Sequence, residues 1–265
     1  MNSIYIGGNR ILSLTGCGHK LILPSADLSI TPEIVINGGI EWPLTRFLLR
    51  EVKQGHRVVD IGANVGYFAV LCGYLIGPSG KLWAYEPHPE LYPFLMDNLS
   101  INYLHDRTEV RPLAVYSAAG SLVFQAAQRF MGNSSVHRHG DAYHKHYRDH
   151  IVELSVEAVA LDDNADELGT VDYMKMDIEG GEYRALLGMD GMIRNGIRHL
   201  IFEVNRTMLA DDWMPFCELL RKYEADYGKQ FSLLTEEGVP VPTTADDLIE
   251  SGSQPFVLMK ARAES

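Results

Sequence analysis

The fold is decided by the stretch Arg57-Val58-Val59-Asp60-Ile61-Gly62-Ala63-Asn64-Val65-Gly66-Tyr67-Phe68. Its first half is a short apolar run, typical of a buried strand, and an apolar stretch of helical length follows Gly66. The glycines between them permit a turn in which the backbone approaches a ligand closely, and the start of the helix supplies free amide donors. The stretch therefore predicts a strand, a turn and a helix, and the turn is either purely structural or binds a ligand.

Short apolar runs alternate with amphipathic stretches further along the chain, which is the pattern of an α/β fold. We predict strands at residues 57–62, 81–86, 109–115, 171–176, 200–204, 231–234 and 256–260, with helices at residues 67–76, 89–103, 182–189 and 212–227. Residues 121–125 are expected to pair with residues 152–159 as extra strands. Residues 129–150 then form a long polar excursion, and a connection of this length inside a compact domain is usually functional or disordered.

The first 40 residues differ from the rest of the chain. Short strand-like pieces separated by glycines and a proline occur at residues 4–6, 11–14, 20–23 and 34–36. A helix is predicted from about Trp42 to Lys53, because Pro43 suits an early helical position and Gly55 follows its end. We expect residues 1–54 to form a β-rich extension with a helix that packs on the core, and residues 55–265 to form the main domain.

The 265-residue chain contains 23 Lys and Arg against 35 Asp and Glu, which gives a net charge of −12. This excess of acidic residues argues against binding to nucleic acids and anionic membranes, which attract basic proteins. The sequence has no run of 18 apolar residues and no leader-like start, so neither membrane insertion nor export is predicted. Three dispersed cysteines suit a reducing compartment, and we expect a cytoplasmic protein.

Acidic residues follow three of the predicted parallel strands, at the edge where open α/β sheets bind ligands. Glu86 lies 20 residues after Gly66, where a carboxylate can accept hydrogen bonds from both hydroxyls of a ribose. Residues 175–182 place three carboxylates beside two glycines, and Glu203 and Asn205 share one face at the end of the next strand. A helix start capped by acidic residues is the structural alternative. Three acidic strand ends together favour a binding site.

Four motifs together resemble, in order and spacing, the FkbM family of S-adenosylmethionine-dependent methyltransferases: residues 59–68, Glu86-Pro87, Leu161-Asp162-Asp163 and residues 175–182. The resemblance covers about residues 42–205. It implies a class I methyltransferase fold, a Rossmann-like and mostly parallel seven-stranded sheet with one antiparallel strand and helices on both faces. It also implies S-adenosylmethionine as cofactor, with its methionine part held by the turn and its ribose by Glu86. The cofactor-binding residues expected on this basis are Asp60, Gly62, Ala63, Asn64, Gly66, Tyr67 and Glu86.

The resemblance further implies O-methylation, often of sugars. Enzymes that methylate nucleic-acid amines usually carry an Asn/Asp-Pro-Pro-aromatic motif where this chain has Asp177-Ile178-Glu179-Gly180. Attack by a hydroxyl requires removal of its proton, and histidine is the side chain best suited to this at neutral pH. We predict catalytic roles for His144, Asp177 and Glu179, with His144 as the leading base among the five histidines of the excursion.

The acceptor is expected under the excursion, in contact with Tyr143, Tyr147, Glu203 and Asn205. The carboxylates of Asp177 and Glu203 would also suit a hard ion, and magnesium is a second expected cofactor. The histidine-rich excursion has a simpler interpretation as a solvated surface segment.

We therefore predict an S-adenosylmethionine-dependent O-methyltransferase that acts on a hydroxyl of a sugar or polysaccharide precursor. Its partner is a small-molecule or oligosaccharide acceptor, and a homodimer is a further expectation. Three alternatives stay open: methylation of a non-sugar natural product, a non-catalytic methyltransferase-like binding module, and a nucleotide-dependent oxidoreductase. Asn64 disfavours the last, because the dinucleotide fingerprint has a glycine at that position.

Overall fold

The computed structural model describes residues 3–138 and 141–261, without the side chains of Asp141, Ala142 and His144. Its strands are β1 (Ser3–Gly7), β2 (Arg10–Leu14), β3 (Lys20–Pro24), β4 (Arg57–Ile61), β5 (Lys81–Tyr85), β6 (Thr108–Arg111), β7 (Ala114–Val115), β8 (Gly120–Ala127), β9 (Ile151–Val159), β10 (Val171–Met176), β11 (Ile197–Asn205), β12 (Lys229–Leu234), β13 (Pro240–Thr243) and β14 (Ser253–Ala261). Its helices are α1 (Ile30–Asn37), α2 (Trp42–Glu51), α3 (Tyr67–Leu75), α4 (Tyr92–Ile101), α5 (Asp141–His146), α6 (Ala165–Leu168), α7 (Glu182–Leu187), α8 (Asp190–Asn195), α9 (Arg206–Leu209), α10 (Trp213–Ala225) and α11 (Ala245–Ser251). No helix in this described part of the chain is long and apolar enough to cross a membrane.

Eight strands form the central sheet, in the order β13-β12-β14-β11-β10-β4-β5-β6. The strands β4, β5, β6, β10 and β11 are parallel, and β14 is antiparallel to both of its neighbours. Side chains of β4 alternate between two cores on opposite faces of the sheet, Val59 on one face and Val58 on the other. Helices α2, α3 and α4 pack on the face of Val58, and α7, α8 and α10 on the opposite face. The predicted α/β architecture with helices on both faces is confirmed.

The sheet has one strand more than the seven predicted. Strand β13 pairs antiparallel with β12 and forms the edge of the sheet, so two strands rather than one run against the majority. The sequence predicts no strand here, because Pro240 and Pro242 lack the N–H group that a central strand needs. An edge strand pairs on one side only and tolerates both prolines.

The N-terminal sheet β1-β2-β3 confirms three of the four strand-like pieces, but the strand predicted at residues 34–36 is wrong. These residues lie in α1. The carboxylate of Asp27 decides the matter, because its Oδ2 accepts hydrogen bonds from the backbone N–H groups of Ile30 at 3.0 Å and Thr31 at 2.8 Å. The first N–H groups of a helix have no partner within the helix, so the hydrogen bonds that these two groups donate to Asp27 stabilise a helix that begins here. The division of the chain after residue 54 stays a prediction.

Residues 109–115 form parts of two strands rather than the one predicted. Pro112 has no N–H to donate, so β6 ends before it, and β7 leaves the central sheet to pair with β9. Strands β8 and β9 pair antiparallel, which confirms that prediction. The excursion that joins them docks on the N-terminal segment, where the backbone N–H of Met131 donates to Asp27 Oδ1 at 3.1 Å.

Helix α2 is fixed to the turn between β12 and β13. Arg50 Nη1 donates to the carbonyl oxygen of Glu237 at 2.9 Å, across 187 positions of sequence, and Nη2 donates to the carbonyl oxygen of Gly238. A Cβ atom on Gly238 would lie 2.3 Å from the carbonyl oxygen of Pro43. The turn therefore packs directly on the first residues of the helix.

Candidate active site

A cleft of about 1030 Å³ opens at the carboxyl ends of β4, β5 and β10, a size of the order that small-molecule ligands occupy. The excursion covers one side of it through residues 131–134 and Val136. The predicted cofactor-binding residues that line the cleft are Gly62, Ala63, Asn64, Tyr67 and Glu86. Asp60 and Gly66 do not line it.

The turn after β4 is held tightly against the turn after β10. Gly62 has a φ of 73°, and a Cβ atom at this position would lie 1.9 Å from the carbonyl oxygen of Asp177. The N–H groups of Gly62 and Ala63 both donate to the carbonyl oxygen of Tyr85 at 3.0 Å. Only glycine fits this approach, so the turn that the sequence identifies is built for close contact between three strand ends.

Glu86 is held by two backbone hydrogen bonds at the end of β5. Its Oε2 accepts from the N–H of Asn64 at 2.6 Å, and its Oε1 accepts from the N–H of His88 at 2.7 Å. Burial raises the pKa of Glu86 to about 7, although these two hydrogen bonds lower it. Each carboxylate oxygen retains a lone pair for a further donor, so Glu86 is rigid and can still accept hydroxyl groups from a ligand.

Lys175 is a buried cation between two carboxylates. Its Nζ lies 3.6 Å from Asp60 Oδ1 and 3.7 Å from Asp177 Oδ2, and it donates to the carbonyl oxygen of Gly62 at 3.1 Å. Burial lowers the pKa of Lys175, but the charges of Asp60 and Asp177 outweigh it and hold the pKa above its usual range. Within the described residues, neither oxygen of Asp60 has a hydrogen-bond partner, so Lys175 is its compensating charge.

A second cleft of about 540 Å³ adjoins the first at the carboxyl ends of β10 and β11. Its apolar walls come from α2, β11 and β14. Four residues line both clefts and form what we call the shared wall: Glu41, Lys175, Asp177 and Glu179. Glu203 lines the second cleft alone. The predicted residues Asp177, Glu179 and Glu203 are therefore brought together where a molecule in one cleft meets a molecule in the other.

Burial and neighbouring carboxylates raise the pKa values of several acidic residues at and beside the shared wall. Burial and the charge of Asp177 raise the pKa of Glu203 to about 7, and burial with Asp177 raises that of Glu179 well above its usual range. Glu182 lies just behind them, where burial raises its pKa to about 8. Among the described residues that line the two clefts, Lys175 is the single cation. The raised pKa values mark this cluster of acidic residues as a candidate functional site.

Other predicted substrate residues hold the local structure instead of lining a cleft. The Tyr143 hydroxyl donates to Asp149 Oδ2 at 3.0 Å, and the rings of Tyr143 and Tyr147 lie 4.8 Å apart. Asn205 Oδ1 accepts from the N–H of Thr207 at the start of α9, and its Nδ2 donates to Glu203 Oε1 at 3.2 Å. Asn205 does not line the second cleft, but its hydrogen bond helps to hold Glu203, which does.

The predicted base, His144, has its side chain outside the described part of the structure. Within the described residues, no histidine of the excursion lines either cleft, and His139 is not among those residues. The described chain also holds no group of three or more His, Cys, Asp or Glu side chains arranged for a metal ion. Magnesium at Asp177 and Glu203 stays a prediction.

Sequence reasoning missed two residues of the shared wall. Lys175 lies in the motif of residues 175–182, and its place at the end of an apolar strand does not by itself indicate a role. Glu41 precedes the Trp42-Pro43 helix start, where an acidic residue is ordinarily interpreted as a cap. The signal that could have found it is the pair Gly38-Gly39, which allows the chain to turn sharply just before it.

A family model and several curated proteins match the sequence of this chain. The model of the family described as the Methyltransferase FkbM domain matches residues 60–231. Methyltransferase sdnD of Sordaria araneosa is 26% identical over 181 residues, which cover 60% of this chain and 66% of that protein. Hexuronic acid methyltransferase AglP of Haloferax volcanii is 23% identical over 172 residues, 62% of this chain and 62% of that protein. The chain thus spans less than two thirds of the length of these relatives.

A crystal structure of methyltransferase FkbM from Methylobacillus flagellatus KT is similar in fold, with a TM-score of 0.50 at 16% identity. The similarity covers 86% of this chain and 50% of that one. The matched family region contains the turn after β4, Glu86, Glu203 and the shared-wall residues on and just after β10, so it includes most of the candidate site. The chain belongs to the FkbM methyltransferase family and has the class I methyltransferase fold.

Proposed function

We propose that the protein is an S-adenosylmethionine-dependent O-methyltransferase that acts on a hydroxyl group of a sugar or a similarly polyhydroxylated molecule. The observation that carries this proposal is the shared wall, where carboxyl groups face both clefts. Carboxylates accept hydrogen bonds from hydroxyl groups and can take their protons. The name of the relative AglP, a hexuronic acid methyltransferase, supports a sugar acceptor.

The residues of the larger cleft fit S-adenosylmethionine. Glu86 offers free lone pairs at the position expected for ribose hydroxyls, and Gly62 lets the turn after β4 pack against the turn after β10 at the edge of the cleft. The turn would hold the methionine part, and the carboxyl groups of the wall suit a cationic ligand. When bound, the cofactor supplies a methyl group on a positively charged sulfur.

The chain's own contribution is positioning and proton removal. The excursion residues 131–134 cover the larger cleft and shield it from water, and Asp177 and Glu179 lie at the boundary that the acceptor oxygen must reach. A carboxylate there, or the predicted His144, takes the hydroxyl proton as the oxygen attacks.

A cytoplasmic location is part of the proposal. The cysteines Cys17, Cys72 and Cys217 are free thiols, and Cys72 and Cys217 are buried. Free thiols are typical of reducing compartments. The absence of nucleic-acid partners and the homodimer stay predictions.

The variant Glu86→Ala is expected to weaken binding of both S-adenosylmethionine and its demethylated product by about 10–100-fold, because hydrogen bonds to a charged partner contribute about 1.5–3 kcal/mol. Isothermal calorimetry measures both dissociation constants. The exposed residue Glu90 is the matched control, and Glu90→Ala should bind as the parent does. An unchanged dissociation constant in folded Glu86→Ala would show that the ribose lies elsewhere.

Neutral sugars are expected to be methylated with a kcat/KM at least about tenfold above that of the matching uronic acids, because the described residues of the clefts offer no unpaired cation to compensate the buried carboxylate of a uronic acid. The shared wall carries three carboxyl groups against the one cation Lys175, which is already paired with Asp60. Labelled cofactor and a panel of glycosides, the matching glucuronides, phenols and amines measure this. Transfer to amines alone would reject the proposed function, and a preference for uronic acids would reject the charge argument.

A further inference from the structure

Glu41 belongs to the N-terminal part of the chain, outside the residues that the FkbM family model matches. It lies immediately before α2 and lines both clefts. The other acidic residues of the shared wall come from the turn after β10. The shared wall is therefore built from two distant segments, the residue before α2 and the turn after β10.

The backbone of Glu41 is in an uncommon conformation. Its φ of 46° and ψ of 54° place it in the left-handed region, which costs a residue with a side chain about 1–2 kcal/mol. Such strain persists where the surrounding structure requires it, and it concentrates at functional sites. Its carbonyl oxygen accepts from the N–H of Thr45 at 2.9 Å, so the strained residue is fixed to the helix.

The carboxyl group of Glu41 does not cap the helix that it precedes. No hydrogen bond joins it to the N–H groups at the start of α2, which is the usual role of an acidic residue there. Within the described residues it forms no ion pair closer than 4 Å, and its partial exposure is toward the clefts. The carboxyl group of Glu41 therefore does not bind the start of α2, and it is available to a ligand in the clefts.

We propose that Glu41 is a catalytic residue that accepts the proton of the acceptor hydroxyl. This inference rests on the proposed function. The hydroxyl O–H bond breaks and its proton passes to a Glu41 carboxylate oxygen, while the hydroxyl oxygen forms a bond to the methyl carbon. The bond from that carbon to sulfur breaks, and its electron pair stays on sulfur. The products are the methyl ether, the neutral sulfide and protonated Glu41, which returns its proton to water.

The surrounding charges suit this role. Burial and the charge of Asp177 raise the pKa of Glu41 to about 8, and Lys175 lowers it. A base is most effective when its pKa is close to the working pH. The charged groups that act on Glu41 are Asp177, Lys175, Asp60, Glu203 and Glu179.

The test compares Glu41→Gln with the parent on a hydroxyl acceptor. Glutamine keeps the size of the side chain but cannot take the proton, so kcat should fall by about 10²–10⁴-fold while the dissociation constant of the demethylated product changes less than about threefold. The parent kcat/KM should rise with pH through the pKa of about 8, because the base acts when ionised, and Glu41→Gln should lose this rise. Glu51→Gln, at the exposed end of the same helix, is the control.

A second measurement needs no acceptor. A positive charge favours the ionised form of a nearby carboxyl group, so binding of the sulfonium cofactor should release more protons than binding of its neutral-sulfur product. Calorimetry in two buffers of different ionisation enthalpy measures this difference. It should be smaller in Glu41→Gln than in the parent and in Glu51→Gln.

Several outcomes would overturn the assignment: a kcat of Glu41→Gln within about threefold of the parent, an unchanged pH profile, or a loss of product affinity equal to the loss of kcat/KM. A large loss in His144→Ala with normal turnover in Glu41→Gln would place the base in the excursion. A parent that methylates no hydroxyl would reject the proposed function instead, and the proton-release comparison would then decide the position of Glu41.

Discussion

Replacing Gly62 with alanine is expected to lower the free energy of unfolding by about 3–5 kcal/mol and to abolish measurable cofactor binding. Two costs add. The φ of 73° is unfavourable for any residue with a side chain, and the new Cβ atom would lie 1.9 Å from the carbonyl oxygen of Asp177. That oxygen is backbone at a turn shared with the site, so relieving the contact must separate the turns after β4 and β10.

Gly228→Ala is the matched control for this variant. Gly228 has a φ of 62°, and no atom lies within 4 Å of the position of its Cβ. Alanine at this position should therefore lower the free energy of unfolding by only about 1–2 kcal/mol, the cost of the left-handed backbone conformation. Urea unfolding of both variants and the parent gives the two differences. Equal destabilisation of the two variants would show that the close approach at Gly62 is relaxed at little cost.

Lys175→Met is expected to destabilise the fold by about 3–5 kcal/mol at neutral pH, because it leaves the buried carboxylate of Asp60 without its compensating charge. Methionine has a similar volume, so the loss of packing is small. Asp60→Asn in the same chain removes the unpaired charge and should restore a large part of the lost stability. A single variant within about 1 kcal/mol of the parent would mean that Asp60 is already protonated in the native protein.

The deficit of Lys175→Met should depend on pH. Burial raises the pKa of Asp60 and Lys175 lowers it, so the substitution leaves the folded-state pKa raised further above the unfolded value of about 3.9. The folded variant then binds a proton that the unfolded chain releases, and its stability falls as pH rises from about 4 through the folded-state pKa. Urea unfolding at pH values of about 4.5 and 7 should show the smaller deficit at the lower pH.

Much of the central sheet could be predicted because its parallel strands are buried on both faces and appear as unbroken apolar runs. Strand β10 coincides with the predicted residues 171–176. The position of Glu86 beside the turn could be predicted for the same reason, since neighbouring parallel strands end at one edge. The structure places Glu86 beside the turn, where its Oε2 accepts a hydrogen bond from the backbone N–H of Asn64 at 2.6 Å.

The parts that could not be predicted depend on contacts between distant segments. Nothing near residues 34–36 distinguishes a strand from a helix, and the carboxylate of Asp27 that starts the helix also holds the excursion through Met131. Glu41 is separated from Asp177 by most of the main domain, and only the docking of α2 brings both to one wall. The local spacing of apolar residues in the sequence carries no information about which distant segments come into contact.

The attachment of α2 to the β12–β13 turn has a consequence for the order in which the protein is built. Synthesis proceeds from the N-terminus, so the carbonyl oxygens of Glu237 and Gly238 leave the ribosome long after Arg50, which they hold. The lining residues of the larger cleft are all made before that point, whereas the anchor of α2 on the β12–β13 turn is made only afterwards. Contacts this distant in sequence form late and slow the folding reaction. The growing chain therefore contains every lining residue of the larger cleft before it can anchor α2 to the β12–β13 turn, and the position of Glu41 at the start of that helix is secured only after the turn is made.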